Sequence, residues 1–195
     1  DALEELPSVQ RVAIAGSARR RKATVGDLDL LVASYEPLAV SSQFITLPNI
    51  DGVLSRGESK TSVRLDSGQQ VDLRVLVPET FGAGLCYFTG SQQHNIMLRV
   101  RGNKRRLKIS EHGVFTRVGE QRLAGALEEE VFAAVGLPFI PPELRENAGE
   151  LEAAAEGRLP ALVTSDSILG DLHVRSDPTD REGSIEALAR EALWR

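Results

Sequence analysis

Two aspartates separated by one residue open a strand-like run near the N-terminus and could bind a metal ion. The run is Asp27-Leu28-Asp29-Leu30-Leu31-Val32. Because side chains on a strand alternate between its faces, Asp27 and Asp29 are predicted to project from one face and the leucines beside them from the other. Two carboxylates on one face repel each other unless a cation lies between them, and such hard oxygen ligands suit Mg²⁺ or Mn²⁺. The pair therefore predicts a divalent-metal site.

A glycine and a serine at the end of the preceding apolar run could bind a phosphate. The run at positions 9–15 ends in Gly16-Ser17, and four basic residues follow at positions 19–22. Gly16 allows the backbone to turn tightly and approach a ligand. Ser17 and the N–H groups after it offer hydrogen-bond donors to a phosphate at a helix start. Together with the aspartates, this segment predicts a metal–nucleotide site.

A third carboxylate, Asp72, lies in a later strand-like run. Residues 59–65 and 70–77 are predicted to form a hairpin, in which Asp72 and Arg74 share one face. An ion pair of Asp72 with Arg74 or with a surface lysine is one interpretation. A third metal ligand, which could also accept the proton of an attacking hydroxyl group, is favoured by the aspartate pair upstream.

These motifs resemble the signature of the nucleotidyltransferase superfamily, and the longer match resembles the palm of family X DNA polymerases. The segments that match are 16–20, 26–29 and 71–74. The most specific match, Tyr87-Phe88-Thr89-Gly90-Ser91, resembles the segment at which the palm meets the thumb in DNA polymerase beta and its bacterial relatives. The glycine-serine and aspartate motifs alone are also typical of poly(A) polymerases, CCA-adding enzymes and small antitoxin-type transferases.

The resemblance implies template-directed, two-metal nucleotidyl transfer from a dNTP to a primer 3′-hydroxyl in gap-filling DNA repair. Asp27 and Asp29 would bridge two Mg²⁺ or Mn²⁺ ions, and Asp72 would hold the ion that activates the hydroxyl group. Tyr87 and Phe88 would lie against the sugar and base of the incoming nucleotide and disfavour a 2′-hydroxyl. The nucleotide-binding positions implied in this way are Gly16, Ser17, Arg20, Gly26, Tyr87, Phe88, Gly90 and Asn95.

The charge distribution predicts that the first two thirds of the chain contact DNA. Residues 1–122 contain 17 Lys and Arg against 13 Asp and Glu, whereas residues 123–195 contain 6 against 15. The front part is therefore the candidate for phosphate contact, on gapped or primer–template DNA. His94 and His112 are predicted to lie on the surface. The predicted DNA-binding residues are Arg74, Arg99, Arg101, Lys104 and Arg105.

The C-terminal part resembles the start of a PHP domain (polymerase and histidinol phosphatase type). Residues 170–180 are similar to the opening metal motif of such domains, which makes His173 a candidate metal ligand. Arg175 replaces the second histidine of that motif, and arginine has no lone pair to give to a metal. A PHP-type 3′–5′ exonuclease or phosphoesterase is accordingly predicted only for a longer parent protein, in diminished or altered form.

The predicted fold is α+β, with a nucleotidyltransferase-type mixed or antiparallel sheet as the palm and a small α/β thumb. The palm is expected at 1–86, the thumb at 87–122, a helical and proline-rich connector at 123–165, and the first strand and helix of a PHP domain at 166–195. Residues 38–57, within the palm, are predicted to be loop or short helix.

The lone Cys86 and the lack of a long apolar run predict a soluble, intracellular protein. The resemblance to bacterial family X DNA polymerases implies a bacterial, cytoplasmic, nucleoid-associated location. The protein is expected to be a monomer without membrane contact and a piece of a longer chain. Two other functions stay open. One is a nucleotidyltransferase that acts on another acceptor, and the other is a DNA-binding or scaffolding module whose polymerase activity has lapsed.

Overall fold

The computed structural model describes residues 2–168 and 184–192. These residues belong to two units, which are divided between Leu159 and Pro160. The predicted PHP motif with His173 and Arg175 lies outside the described residues. The strands described are β1 Val9–Ile14, β2 Asp27–Ser34, β3 Ile50–Arg56, β4 Lys60–Leu65, β5 Gln70–Leu76, β6 Leu107–Ser110, β7 Gly113–Thr116 and β8 Arg122–Ala124. The α-helices described are α1 Gly16–Arg19, α2 Pro37–Phe44, α3 Phe81–Thr89, α4 Gln92–Lys104, α5 Glu128–Ala134, α6 Glu150–Ala155 and α7 Ile185–Ala192.

A mixed five-stranded sheet in the order β1-β2-β5-β4-β3 carries the first half of the chain. β2 runs parallel to β5, and the other neighbouring pairs are antiparallel. The predicted hairpin of β4 and β5 is confirmed, with Ser62 opposite Asp72. The parallel pair in the middle of the sheet is the feature that positions the site, because it places the ends of β2 and β5 side by side.

The two faces of β2 are buried against different cores, as the alternation of its side chains predicts. Leu28, Leu30 and Val32 pack on one face in a cluster with Val40 and Phe44 of α2. Leu31 and Ala33 pack on the opposite face with Phe81 and Leu85 of α3. Asp27 and Asp29 share the face of Leu31 and lie just before its apolar cluster begins, which leaves their carboxylates free to take part in a site.

A second core joins α3, α4, the three-stranded sheet β6-β7-β8 and α5. It also takes in Leu137, Ile140 and Leu151, all buried, from the segment predicted as the connector. Residues 142–144 form a short 3-10 helix within that segment. The predicted thumb and connector thus contribute to one packed core, and the boundaries assigned to the domains stay a prediction.

The predicted α+β class with a mixed palm-type sheet is confirmed by this architecture. Two local predictions are wrong. Residues 50–56 form the edge strand β3 rather than loop or short helix. His94 is fully buried, whereas His112 is exposed as predicted. None of the helices in the described part of the chain is long and apolar enough to cross a membrane.

Candidate nucleotide- and metal-binding site

The three predicted aspartates lie at neighbouring positions on two paired strands. Asp29 of β2 is directly opposite Asp72 of β5, and Asp27 is one step earlier on the same face of β2. Asp72 is buried, Asp29 is half-buried and Asp27 is exposed. The register of the parallel pair therefore brings together residues that are 43 positions or more apart in the sequence.

Lys60 of β4 pairs with the innermost of these carboxylates. Its Nζ lies 2.7 Å from Oδ2 of Asp72, and Nε2 of Gln70 donates to Oδ1 at 3.0 Å. Ser62 is the residue directly opposite Asp72, so Lys60 reaches it from the diagonal position on the same face of the sheet. The ion pair with a lysine, one of the two interpretations of Asp72, is thus present in the structure.

The pKa values of the two inner aspartates are shifted in opposite directions. Burial, followed by the neighbouring carboxylates of Asp27 and Asp72, raises the pKa of Asp29. Burial alone would also raise the pKa of Asp72, but hydrogen bonds, that from Lys60 foremost, outweigh it and lower the pKa. The cations Arg74 and Lys60 act against this rise at Asp29, but burial and the two carboxylates outweigh them.

The donor set suits a hard divalent cation by its chemistry. Burial, and then repulsion from Asp27 and Asp72, raises the pKa of Asp29, and a cation between the carboxylates would remove that repulsion. In residues 2–168 and 184–192, however, no three His, Cys, Asp or Glu side chains are arranged closely enough to hold a metal as they stand. Lys60 supplies the positive charge beside Asp72 instead. Metal binding by all three aspartates therefore requires Lys60 to give up or share this contact.

Gly16 lies against Asp29 in a conformation that only glycine adopts readily. Its φ is +63°, and a β-carbon there would collide with Oδ2 of Asp29. The backbone N–H of Ala15 donates to the carbonyl of Asp29 at 2.8 Å. Ser17, half-buried, is the second residue of α1. Gly26, exposed, precedes β2, and its carbonyl accepts a hydrogen bond from Nε2 of Gln69 at 2.6 Å.

Hydrogen bonds join the basic residues at the C-terminal end of α1 to the end of α3. Nη1 of Arg19 donates to Oγ1 of Thr89 at 2.7 Å, and Nη1 of Arg20 donates to the carbonyl of Thr89 at 2.5 Å. Thr89 is fully buried and is followed by Gly90, whose peptide bond to Ser91 is cis. The glycine-serine motif and the Tyr-Phe-Thr-Gly-Ser segment, 70 residues apart in sequence, are therefore neighbours in space.

Phe88, one of the aromatic pair of that segment, packs against the cluster of Leu31 and Phe81. The rings of Tyr87 and Phe88 pack edge to face with centroids 5.1 Å apart. The guanidinium group of Arg74 lies 4.2 Å above the ring of Phe88. Asn95 of α4 donates from Nδ2 to the carbonyl of Tyr87 at 2.6 Å. These three pairwise contacts connect four predicted site residues in a chain, from Arg74 of β5 to Asn95 of α4.

An ion cluster connects the end of α1 to the start of α5 and consists of Arg19, Glu128 and Arg145. Glu128, at the start of α5, accepts two hydrogen bonds from Arg19 at 2.8 and 3.0 Å and a third from Nη1 of Arg145. Arg145 is fully buried, and Phe132 and Phe139 lie 4.9 and 5.2 Å from its guanidinium carbon. The pKa of Glu128 is lowered because these arginines outweigh the opposing effect of its burial.

The predicted DNA-binding residues differ in their surroundings. Arg99, Lys104 and Arg105 are exposed along α4 and just beyond it. Arg101 instead donates from Nε to the carbonyl of Val135 at 2.9 Å and so caps the C-terminal end of α5. Arg74 contacts Phe88, as described above. The exposed three form the surface that could follow a phosphate backbone.

Several residues at the site carry no local sequence signal of their role. Lys60 is one lysine in a polar strand, and Glu128, Arg145 and Glu150 lie in segments that resemble a solvated helix and a connector. All four meet partners at least 12 positions away in the sequence. Of these four residues, Lys60 alone is anticipated by the sequence, as the surface lysine that could pair with Asp72.

Comparisons with known proteins agree with the motifs. Residues 84–146 match the family model described as DNA polymerase beta thumb. The chain is 38% identical over 194 residues to the DNA polymerase/3′-5′ exonuclease PolX of Bacillus subtilis, which covers 98% of this chain and 34% of that protein. It is 28% identical over 161 residues to DNA polymerase lambda of Rattus norvegicus, which covers 67% of this chain and 28% of that protein.

The similarity therefore extends across both cores, and the chain spans about a third or less of the length of these curated relatives. The predicted resemblance to family X DNA polymerases is confirmed. The resemblance of residues 170–180 to a PHP domain remains a prediction.

Proposed function

We propose that this family X polymerase-like chain supplies the palm and thumb of a template-directed DNA polymerase that fills short gaps in DNA repair. The observation that carries the proposal is the register of β2 and β5, which sets Asp29 opposite Asp72 while Thr89 accepts hydrogen bonds from Arg19 and Arg20. The aspartates, the glycine-serine segment proposed to bind phosphate and the segment with the aromatic pair are therefore neighbours in the fold. Polymerase activity in two named relatives supports the proposal.

Asp27, Asp29 and Asp72 are the residues that would hold two Mg²⁺ or Mn²⁺ ions. When bound, such ions lower the pKa of the primer 3′-hydroxyl and neutralise charge on the leaving pyrophosphate. Asp72 is the carboxylate that could accept the proton of that hydroxyl group at one of its Oδ atoms. Its lowered pKa keeps it ionised at neutral pH and able to do so.

The chain's other residues bind and orient the dNTP in this proposal. Ser17, Arg20 and the backbone at Gly16 and Gly26 contact the phosphates. Tyr87 and Phe88 lie against the sugar and base, and the backbone at Gly90 allows the close approach. Asn95 reaches the minor-groove edge of the new base pair, and Arg99, Lys104 and Arg105 follow the DNA backbone.

A second function is favoured by one contact. The Lys60–Asp72 ion pair neutralises a predicted metal ligand without a metal, which is compatible with a DNA-binding module whose polymerase activity has lapsed. A nucleotidyltransferase acting on another acceptor has no specific observation in its favour. A cytoplasmic, nucleoid-associated location and a monomeric state belong to the proposal for the polymerase, as does a PHP-type exonuclease in a longer protein.

Extension of a labelled primer on DNA with a single-nucleotide gap tests the proposal. The expected result is addition of one templated nucleotide in Mg²⁺ or Mn²⁺ and none in a metal chelator. Binding of the gapped DNA with no extension in either metal would favour the lapsed module. Addition that ignores the template base, or that prefers an RNA acceptor, would favour the other transferase.

A further inference from the structure

We propose that residues 145–150, named here the brace, are a positioning element that fixes the phosphate side and the base side of the nucleotide site together. The inference rests on the proposed function, since it assigns a role to residues around that same site. The brace begins just after the 3-10 helix at 142–144 and ends at the first residue of α6. It lies within residues 123–165, the segment predicted as a connector.

The base side is held through a fully buried histidine. Nδ1 of His94 lies 2.7 Å from Oε1 of Glu150, and both side chains are almost completely excluded from solvent. The pKa of Glu150 is lowered: its burial would raise it, but the hydrogen bonds from His94 and the backbone outweigh burial. Glu150 is therefore an ionised acceptor. Burial lowers the pKa of His94, so its neutral imidazole donates from Nδ1 to Glu150.

The carboxylate of Glu150 is fixed by the brace itself. Oε1 also accepts from the backbone N–H of Asn147 at 3.0 Å, and Oε2 accepts from the N–H of Ala148 at 2.7 Å. At the other end of the brace, the carbonyl of Arg145 accepts from the N–H of Ser91 at 2.9 Å. Ser91 caps the N-terminus of α4, and its Oγ accepts from the N–H of His94. The first turn of α4 is thus held at two points.

Asn95 follows His94 directly, and its side chain is bonded to the carbonyl of Tyr87. Arg99 lies one helical turn further along α4. Any rotation or shift of the first turn of α4 would move both Asn95 and Arg99, and with them their proposed contacts to the nucleotide and the template. Fixing His94 therefore fixes the residues proposed to read the base pair.

The phosphate side is held through Glu146. Its Oε1 lies 2.8 Å from Nε of Arg20 and 3.5 Å from Nζ of Lys22. Arg20 also donates from Nη1 to the carbonyl of Thr89, so two of its three nitrogens are engaged. Arginine carries five N–H donors, and those of Nη2 remain available for a phosphate oxygen. The ion pair with Glu146 consequently orients the guanidinium group of Arg20 and leaves the donors of Nη2 for a phosphate.

The two anchors are only four residues apart on a segment stiffened by its own hydrogen bonds. Displacement of the brace at Glu150 would therefore disturb Arg20 as well as Asn95. Such a positioning role differs from simple packing, because its loss weakens nucleotide binding more than it weakens DNA binding or folding.

Steady-state kinetics on gapped DNA, thermal unfolding and DNA binding of three variants test the brace. Glu150→Ala removes the anchor, Glu150→Gln keeps an acceptor oxygen for His94, and Glu146→Gln weakens the hold on Arg20. Glu152→Ala, an exposed glutamate of α6, is the matched control. Glu150→Ala is expected to raise KM for the dNTP about tenfold while kcat and the Kd for DNA change less than about threefold. Glu150→Gln should recover most of that loss.

Non-additivity distinguishes one brace from two independent contacts. The double variant Glu146→Gln/Glu150→Ala is expected to raise KM by less than the product of the single effects, because the second change acts on a segment already released. A lower melting temperature with unchanged KM in Glu150→Ala would overturn the proposal and reduce Glu150 to a packing residue. Fully multiplicative effects would overturn the coupling.

Hydrogen exchange separates failure of the brace from failure of the proposed function. If the unaltered chain extends no primer, the proposed polymerase is contradicted, and exchange still reports on the brace. Glu150→Ala, but not Glu152→Ala, is expected to speed amide exchange in residues 91–99 and in residues 19–22. Unchanged exchange in both segments would overturn the brace whatever the activity.

Discussion

Lys60 occupies the position at which positive charge is needed beside Asp72, and replacing it tests whether bound ions take over that role. Lys60→Met keeps the length of the side chain and removes its charge. In the unaltered protein the ammonium group of Lys60 lies 2.7 Å from Oδ2 of Asp72. Without metal, the variant leaves the buried Asp72 opposite Asp29 and without this cation. The variant is therefore expected to be less stable than the unaltered protein without metal.

The magnitude follows from the geometry of the contact. A hydrogen bond between charged groups contributes about 1.5–3 kcal/mol. Lys60 is 39% exposed, so solvent screening reduces the expected loss to about 1–2 kcal/mol. If bound ions replace the ammonium group, the variant regains this energy when saturated with metal. The apparent metal affinity of the variant should then exceed that of the unaltered protein by about 5- to 30-fold.

Thermal unfolding over a series of Mn²⁺ concentrations measures both quantities at once. The metal-free melting temperature of Lys60→Met should fall by about 2–8 °C and approach that of the unaltered protein in saturating Mn²⁺. Lys104→Met, which removes an exposed lysine of α4, controls for the loss of one positive charge. It should leave both the metal-free stability and the metal affinity unchanged.

Two results would refute this reasoning. If Lys60→Met binds Mn²⁺ no more tightly than the unaltered protein, Lys60 and the ions do not compete for Asp72. If Mn²⁺ stabilises neither protein, the three aspartates do not form a metal site in this chain, and the lapsed module becomes the better account.

Three further changes probe the surroundings of the site. Glu128→Gln leaves the buried Arg145 short of a counter-charge and should reduce the free energy of unfolding by about 3–5 kcal/mol at neutral pH, measured by urea denaturation. Gly16→Ala puts a β-carbon against Asp29 at a positive φ. It should abolish Mn²⁺-dependent stabilisation and primer extension in melting and gap-filling assays while the DNA Kd is kept. Tyr87→Ala should relax discrimination against ribonucleotides in competition assays, because the side chain proposed to exclude the 2′-hydroxyl is removed.

The effect of Glu128→Gln has a defined pH dependence. The pKa of Glu128 is lower in the folded than in the unfolded chain. Its carboxylate therefore stabilises the fold fully above the unfolded pKa, about 4.3 for a glutamate, and the stabilisation is lost as pH falls through the folded value. The difference between the two proteins should shrink in acid. A stability difference that persists at low pH would contradict the ionic origin of the effect of Glu128→Gln. For Tyr87→Ala, unchanged ribonucleotide selectivity would indicate that the Tyr87 ring is a core residue.

The parts of the fold with a regular local pattern could be predicted from the sequence. The alternation in residues 27–34 set the two faces of β2, and the turn between residues 65 and 70 marked the hairpin of β4 and β5. By contrast, β3 is an edge strand with five of its seven residues exposed, so it shows no apolar alternation to detect. The strand is defined by pairing with β4, which a local pattern does not reveal.

The buried polar residues around the site could not be predicted from the sequence, because their partners are distant along the chain. His94 lies among polar residues at the start of α4, where a histidine usually faces solvent, yet Glu150 from 56 positions away buries it. Arg145 is an arginine between a leucine and a glutamate, and its burial is compensated by Glu128, by the carbonyl of Ile140 and by two aromatic rings. The aspartate pair and the aromatic pair could be predicted, because each lies within one short segment whose residue types and spacing are recognisable in the sequence.

The most direct test of the account is single-nucleotide insertion on gapped DNA by Asp72→Asn beside Asp66→Asn. Asp66 is an exposed aspartate in the turn between β4 and β5, so its change matches the loss of charge and lies off the site. The account predicts that Asp72→Asn abolishes metal-dependent insertion and keeps DNA binding, while Asp66→Asn inserts normally. Insertion by Asp72→Asn at the rate of the Asp66→Asn control would contradict the assignment of Asp72 to the catalytic centre.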